Sequence, residues 1–252
     1  MKTKIILALL FITTISHAQL LSPSRKVVTR HMVWGGFYGE YKFSPALSAT
    51  LDAQGRYDYQ NSEWYQWLVR AGAWYKAKNG LIFGAGVARF NLYANPDTKP
   101  ARPEWRPWQE VGFKIRFGHS IIYPRFRFEQ RYIRDYNHND LADTFDLNTF
   151  RERFRIDYNY RFRIDSEKGF SIIESQEVLI ATKKTGFTAL DAARWSLGIG
   201  YAFNKFLSLQ LAYFYELQQK DSKHFEEHEV ARFTLQLQLA KREKKPVGES
   251  GK

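Results

Sequence analysis

The residues with the most capacity for chemistry are arginines and carboxylates set two positions apart. Arg125, Arg127, Glu129 and Arg131 form an Arg-x-Arg-x-Glu-x-Arg run, and Arg151, Arg153, Arg155, Asp157, Arg161 and Arg163 continue the spacing downstream. A guanidinium is planar and permanently charged, so a stripe of them suits carboxylates or phosphates held by paired hydrogen bonds. Structure uses the same fork. Charge removed from water must be paired, and Glu110, Glu129, Asp157, Asp165, Glu174 and Glu177 are the partners the sequence offers. Two readings follow: an interior held shut by salt bridges, or an enclosure that attracts small anionic solutes.

A second group is the run Asp221-Ser222-Lys223-His224-Phe225-Glu226-Glu227-His228-Glu229. Its histidines do not have His-Glu-x-x-His spacing, so a solvated polar loop is the plainer reading and no metal is assigned. Ser222 beside His224 or His228 is the one pairing here that resembles a nucleophile with its base, as an outer-membrane phospholipase or lipid A deacylase would need. No Gly-x-Gly-x-x-Gly leads a strand into a helix, and no cofactor is expected. The chain has no cysteine, which removes disulfides, thiol redox chemistry and thiolate metal sites.

The elements that must carry these residues have period two. Along 150–165, Phe150, Glu152, Phe154, Ile156, Tyr158, Tyr160, Phe162 and Ile164, seven of eight apolar, alternate with Arg151, Arg153, Arg155, Asp157, Asn159, Arg161, Arg163 and Asp165. Successive strand side chains point to opposite faces, so this is one strand with an apolar and a charged face. Its sixteen residues exceed the ~5–6 of an ordinary strand. The same alternation recurs in 65–75, where Tyr65 falls on the apolar face and Leu68 and Trp74 are exceptions, and in 105–117, 122–132, 193–203, 207–217 and 231–239. Aromatic residues make up 17% of a chain whose mean hydropathy is −0.48. Aromatic faces on a polar average suit a membrane barrel, whose strands alternate between lipid and lumen.

Lys2 and Lys4, the apolar stretch Ile5 to Ile15 and the small Ala18 make residues 1–18 a secretory signal peptide, and no later stretch reaches ~20 apolar residues. The formal charge of +12 leaves +7 on residues 19–240 once the leader and a basic tail, 241–252, are set apart. Export argues against nucleic acid as the partner of that charge. Connections near 94–103, 135–147, 182–191 and 219–226 are long and alternate with short turns, as in outer-membrane barrels. Eleven strands are clear, and residues 20–30, with Val27 and Val28, supply a twelfth, because single-chain bacterial barrels have even numbers. The expectation is an all-β, antiparallel up-and-down barrel of twelve strands, with ten as the alternative, in contact with outer-membrane lipid.

Gly55-Arg56, Val69-Arg70-Ala71-Gly72-Ala73-Trp74-Tyr75, Pro103-Glu104-Trp105-Arg106-Pro107-Trp108-Gln109 and Arg125 to Arg131 occur in order, followed by Phe154 to Tyr158, Glu174, Arg194 and Leu197-Gly198-Ile199-Gly200-Tyr201. The set resembles an uncharacterised outer-membrane β-barrel family catalogued as domain of unknown function 2490. The resemblance spans nearly the whole mature chain. It implies a barrel in the outer membrane, inserted by the β-barrel assembly machinery, and no reaction.

Overall fold

A computed structural model describes residues 26–93, 101–137, 140–183, 188–220 and 224–241. The expected signal peptide, residues 19–25, the tail beyond Lys241 and Ser222 lie outside them.

The alternating segments form long strands: β1 (Lys26–Lys42), β2 (Leu47–Asp58), β3 (Glu63–Lys76), β4 (Leu81–Leu92) and β5 (Arg102–Phe113), which continues past Lys114 as β6 (Ile115–Phe117). Next come β7 (Ser120–Ile133) and a small hairpin, β8 (Tyr136–Asn137) and β9 (Asp140–Leu141). The chain then runs through β10 (Asp146–Arg163), β11 (Gly169–Lys183), β12 (Thr188–Ala202), β13 (Leu207–Gln219) and β14 (His224–Ala240). Neighbours in sequence pair as antiparallel hairpins, β7 pairs with β10 across the small hairpin, and β14 closes on β1. Gly80 and Gly118 sit in hairpin turns with φ of +89° and +56°, a region side-chain-bearing residues avoid.

The closure corrects the twelve-strand expectation. Counting β5 and β6 as one position, the barrel has eleven among the described residues. Residues 26–30 are not the end of a separate strand; they begin β1, which runs to Lys42 without a turn. An odd count makes the first and last strands point the same way, and β1 and β14 pair in parallel from Lys26↔His224 to Lys42↔Ala240. The antiparallel assignment therefore fails at this one seam, and the ten-strand alternative fails with the twelve. Two expected long connections also shorten, to 184–187 and 220–223, because β11 to β14 extend into them.

The faces follow the sequence alternation. Phe154, Ile199 and Leu211 are 49%, 56% and 49% exposed on the outer wall, while Arg153 and Glu177 are 8% and 5% exposed inside. Burial of apolar side chains has thus been turned outward, as a barrel in hydrocarbon requires. Tyr65 departs from expectation. A register shift between Arg56 and Tyr57 against β3 sends Trp64 outward at 57% exposure and Tyr65 into the lumen. Such a bulge re-aims one residue without breaking the sheet. Leu68 and Trp74, exceptions in the sequence pattern, face inward as their even numbers require.

The seam has a direct test, clean because the chain lacks cysteine. Thr29 and Glu227 are register partners whose side chains bond at 3.2 Å. T29C/E227C should form an intrachain disulfide on oxidation, seen as a gel shift, since adjacent strands lie ~4.8 Å apart and a disulfide spans Cα atoms up to ~6.8 Å apart. A folded barrel that never cross-links would mean another strand lies between them.

Candidate functional site

The inward carboxylates are shared between arginines in a continuous chain. Glu104 on β5 pairs with Arg131 on β7 at 2.7 Å and with Arg106 at 2.7 Å. Arg106 reaches Glu129 at 3.2 Å, and Glu129 binds Arg153 on β10 at 2.6 Å. Arg153 binds Glu177 on β11 at 2.7 Å, Glu177 binds Arg194 on β12 at 2.9 Å, and Arg194 binds Glu216 on β13 at 2.8 Å. His228 on β14 faces Glu216 at 3.7 Å and Glu226 at 3.2 Å. Glu226 lies 3.8 Å from Arg30 on β1, which binds Asp58 on β2 at 2.7 Å. Cross-strand neighbours on one face lie close enough for this hand-over at each step.

Branches tie in the remaining arginines. Glu110 holds Arg127 at 2.6 Å, Asp157 joins Arg125 at 2.8 Å and Arg155 at 2.6 Å, and Asp191 takes Arg151 at 2.7 Å. The belt leaves out β3 and β4, whose inner faces are largely apolar, with Gln66 and Arg70 on β3 as the exceptions. Leu68, Ala88 and Phe90 form a buried cluster there, and Trp74 and Trp108 lie 5.4 Å apart. Trp108 fits because Gly72 and Gly86 lack side chains: a Cβ on either would stand 2.4 or 2.7 Å from its ring. Arg127 stacks over the same indole at 4.4 Å.

Between belt and aromatic wall lies a cavity of about 630 Å³. Thirteen Arg and Lys side chains line it, against the carboxylates of Asp52, Glu104, Glu177, Asp191 and Glu216. Glu110, Glu129 and Asp157 lie behind them and neutralise three more. The lumen keeps a positive excess.

Most of the charged residues expected together are together: Arg125, Arg127, Glu129, Arg131, Arg151, Arg153, Arg155, Asp157 and Glu110 all belong to this network. Three do not. Arg161 and Arg163 stand exposed at the end of β10, Arg161 bonded to Asn159. Glu174 is on the outer wall. It opposes Tyr158 and Leu197 and accepts a hydrogen bond from Gln176, because an odd offset from the inward Glu177 turns it to the other face.

The Asp221–Glu229 run is not a loop throughout. From His224 it is strand β14, and alternation divides it: Glu226 and His228 join the belt, while Glu227 bonds Thr29 and Tyr215 outside. His228 is 2% exposed between two carboxylates, a structural position, and His224 is exposed at the strand's start. Ser222 lies outside the described residues, and its expected pairing with His224 or His228 lies outside them with it.

Arg56, Arg70 and Arg232 were not singled out by sequence. Isolated in their segments, they lack the stripe that marks β7 and β10. The signal was available in parity, since β2, β3 and β14 place their even residues inside.

A family model described as Protein of unknown function (DUF2490) matches residues 31–227. No curated protein matches the chain. Among solved structures, a bacterial polysaccharide outer membrane secretin aligns with TM-score 0.46 and 11% identity, over 77% of this chain and 64% of its own. A loop L8 deletion mutant of OmpT, an outer membrane protein of Vibrio cholerae, aligns with TM-score 0.35 and 12% identity, over 70% and 58%. The chain thus spans less than two thirds of either.

Two glutamates on opposite faces give opposite expectations. Glu129, 1% exposed, stands among Arg106, Arg151 and Arg153. E129A strands their charge and should cost about 3–5 kcal/mol in urea unfolding of the detergent-folded barrel. E174Q removes a carboxylate from the outer wall and should leave stability unchanged or raised, as outward polar groups are a burden in lipid.

Proposed function

The chain belongs to the family described as Protein of unknown function (DUF2490), and on that premise we propose that it is an integral outer-membrane β-barrel whose lumen is a narrow, anion-preferring passage. The outer-membrane assignment rests on three supports. Residues 1–18 read as an export signal. The strands close into a barrel, so no sheet edge need meet lipid. The outer wall carries a band of Phe, Leu, Ile, Tyr and Trp that water would not tolerate over such an area.

The observation that carries the lumen reading is the excess of cationic over carboxylate side chains around the 630 Å³ cavity. A cleft with one sign of charge and low-dielectric walls concentrates ions of the other sign. The ion pairs also narrow the route, since paired side chains reach in from ten of the eleven strand positions, all but β4. Small anionic solutes fit such a passage, and conductance should be low.

Carbonate-washed membranes should retain the protein, and it should migrate faster unheated than boiled on a gel. In a planar bilayer under a salt gradient the reversal potential should have the sign of anion permeation. R70E, placed in a cavity wall where the nearest carboxylate is 3.8 Å away, should shift it toward cations. Selectivity should also weaken between 0.1 and 1 M salt as the Debye length falls from about 10 to about 3 Å. A cation-selective wild-type barrel would overturn the reading.

A further inference from the structure

The arginines of the lumen are not equivalent. Among the described residues, neither Arg56 nor Arg232 has a carboxylate within ion-pair distance, and Arg56 leaves its Nε without a hydrogen-bond partner. They are neighbours. Trp34 on β1 is the register partner of Arg56 on β2 and of Arg232 on β14. One unpaired guanidinium therefore stands on each side of the same tryptophan, across the parallel seam. Their backbones are roughly 10 Å apart, two strand spacings.

Aromatic rings hold them. Arg56 stacks on Trp34 at 3.9 Å, Trp34 packs against Phe214 at 4.7 Å, and Arg232 lies 5.5 Å from the Phe214 ring. Stacking fixes a guanidinium's plane and leaves its N–H edge for another acceptor. Trp34 is 3% exposed, and its own Nε1–H also lacks a partner. The unsatisfied groups of this cluster are thus donors. Beside it the wall turns polar: Gly36 is paired between Gln54 and Thr234, Gln210 lies next to Thr234, and Gln54 donates its amide to Asp52 at 3.0 Å, which leaves its carbonyl oxygen as an acceptor.

Buried donors are costly to leave unmet, and a folded lumen keeps two unpaired cations here while carboxylates elsewhere are shared among arginines. We infer that Arg56 and Arg232 form a binding site for an organic oxyanion that also carries hydroxyl groups. The guanidiniums take the carboxylate or phosphate ester oxygens, and Gln54, Gln210 and Thr234 take the hydroxyls. The inference rests on the anion-preferring lumen, and names where and how one class of anion is held.

The test uses the full-length mature barrel folded in detergent, with heat-modifiability confirming each variant's fold. Calorimetric titration compares glucuronate, glucose 6-phosphate and glucose. Glucuronate or glucose 6-phosphate should bind, whichever oxyanion fits better, and glucose should not. R56Q/R232Q should weaken that binding about tenfold or more. The charge-keeping R56K/R232K should recover only part of it, because lysine lacks the planar fork. No binding of either anion by the folded wild type, or equal binding by R56Q/R232Q, overturns the site even where wild-type selectivity is anionic. Loss of selectivity in the wild type strikes the broader reading instead.

Discussion

The structure depends on one electrostatic constraint: a closed lumen too narrow to hydrate a dozen arginines must pair them with fewer carboxylates. Sharing is the solution reached. Glu104, Glu129 and Glu177 each serve two or more arginines, and Glu216 serves Arg194 and faces His228. Ion pairs taken from water gain little net free energy over well-packed apolar residues. What they add is specificity. A one-residue slip of any belt strand would turn its whole charged face to the outer wall. The belt therefore fixes register in a fold whose apolar residues face outward, where packing would tolerate many registers.

The same constraint explains the division of the interior. Where carboxylates are absent, on β3 and β4, the inner face is made of Leu68, Phe90, Trp74 and glycine, and Trp108 from β5 lies across it. Arginines beside this wall stack on rings, as Arg127 on Trp108 and Arg106 on Phe90 at 3.9 Å. Two ways of accommodating a buried guanidinium, carboxylate sharing and ring stacking, thus meet at this border, where Arg106 and Arg127 use both.

Much of this was legible in the sequence. Strict alternation over 150–165 fixed both the strand and its charged face, and Arg125 to Arg131 had to lie beside it once the two segments were paired. Closure was not legible. The even-number rule called for a partner strand at 20–30, whereas Val27 and Val28 continue β1, and a parallel seam leaves no local mark because it pairs the two ends of the chain. Glu174 was read as a lumen group from its charge, when its offset from Glu177 already put it outside. Tyr65 was misplaced by a bulge, which inverts parity for a residue without altering composition. The polar run after Asp221 looked like a loop because its charges are dense, but Glu226 and His228 within it belong to the belt.

The division between paired and unpaired arginines bears on how the lumen acts on a solute. A guanidinium already bidentate to a carboxylate, as Arg131 is to Glu104, offers a passing anion little beyond a weak dipole. The field that a solute meets is set by the minority left over, chiefly Arg56, Arg70 and Arg232, on the wall opposite the densest part of the belt. Counting arginines therefore overstates the attraction, and the belt's contribution is indirect. By occupying the carboxylates and holding the strands in register, it keeps those few cations facing open space on rigid elements, Arg56 and Arg232 with no carboxylate at ion-pair distance among the described residues and Arg70 with Asp52 at 3.8 Å.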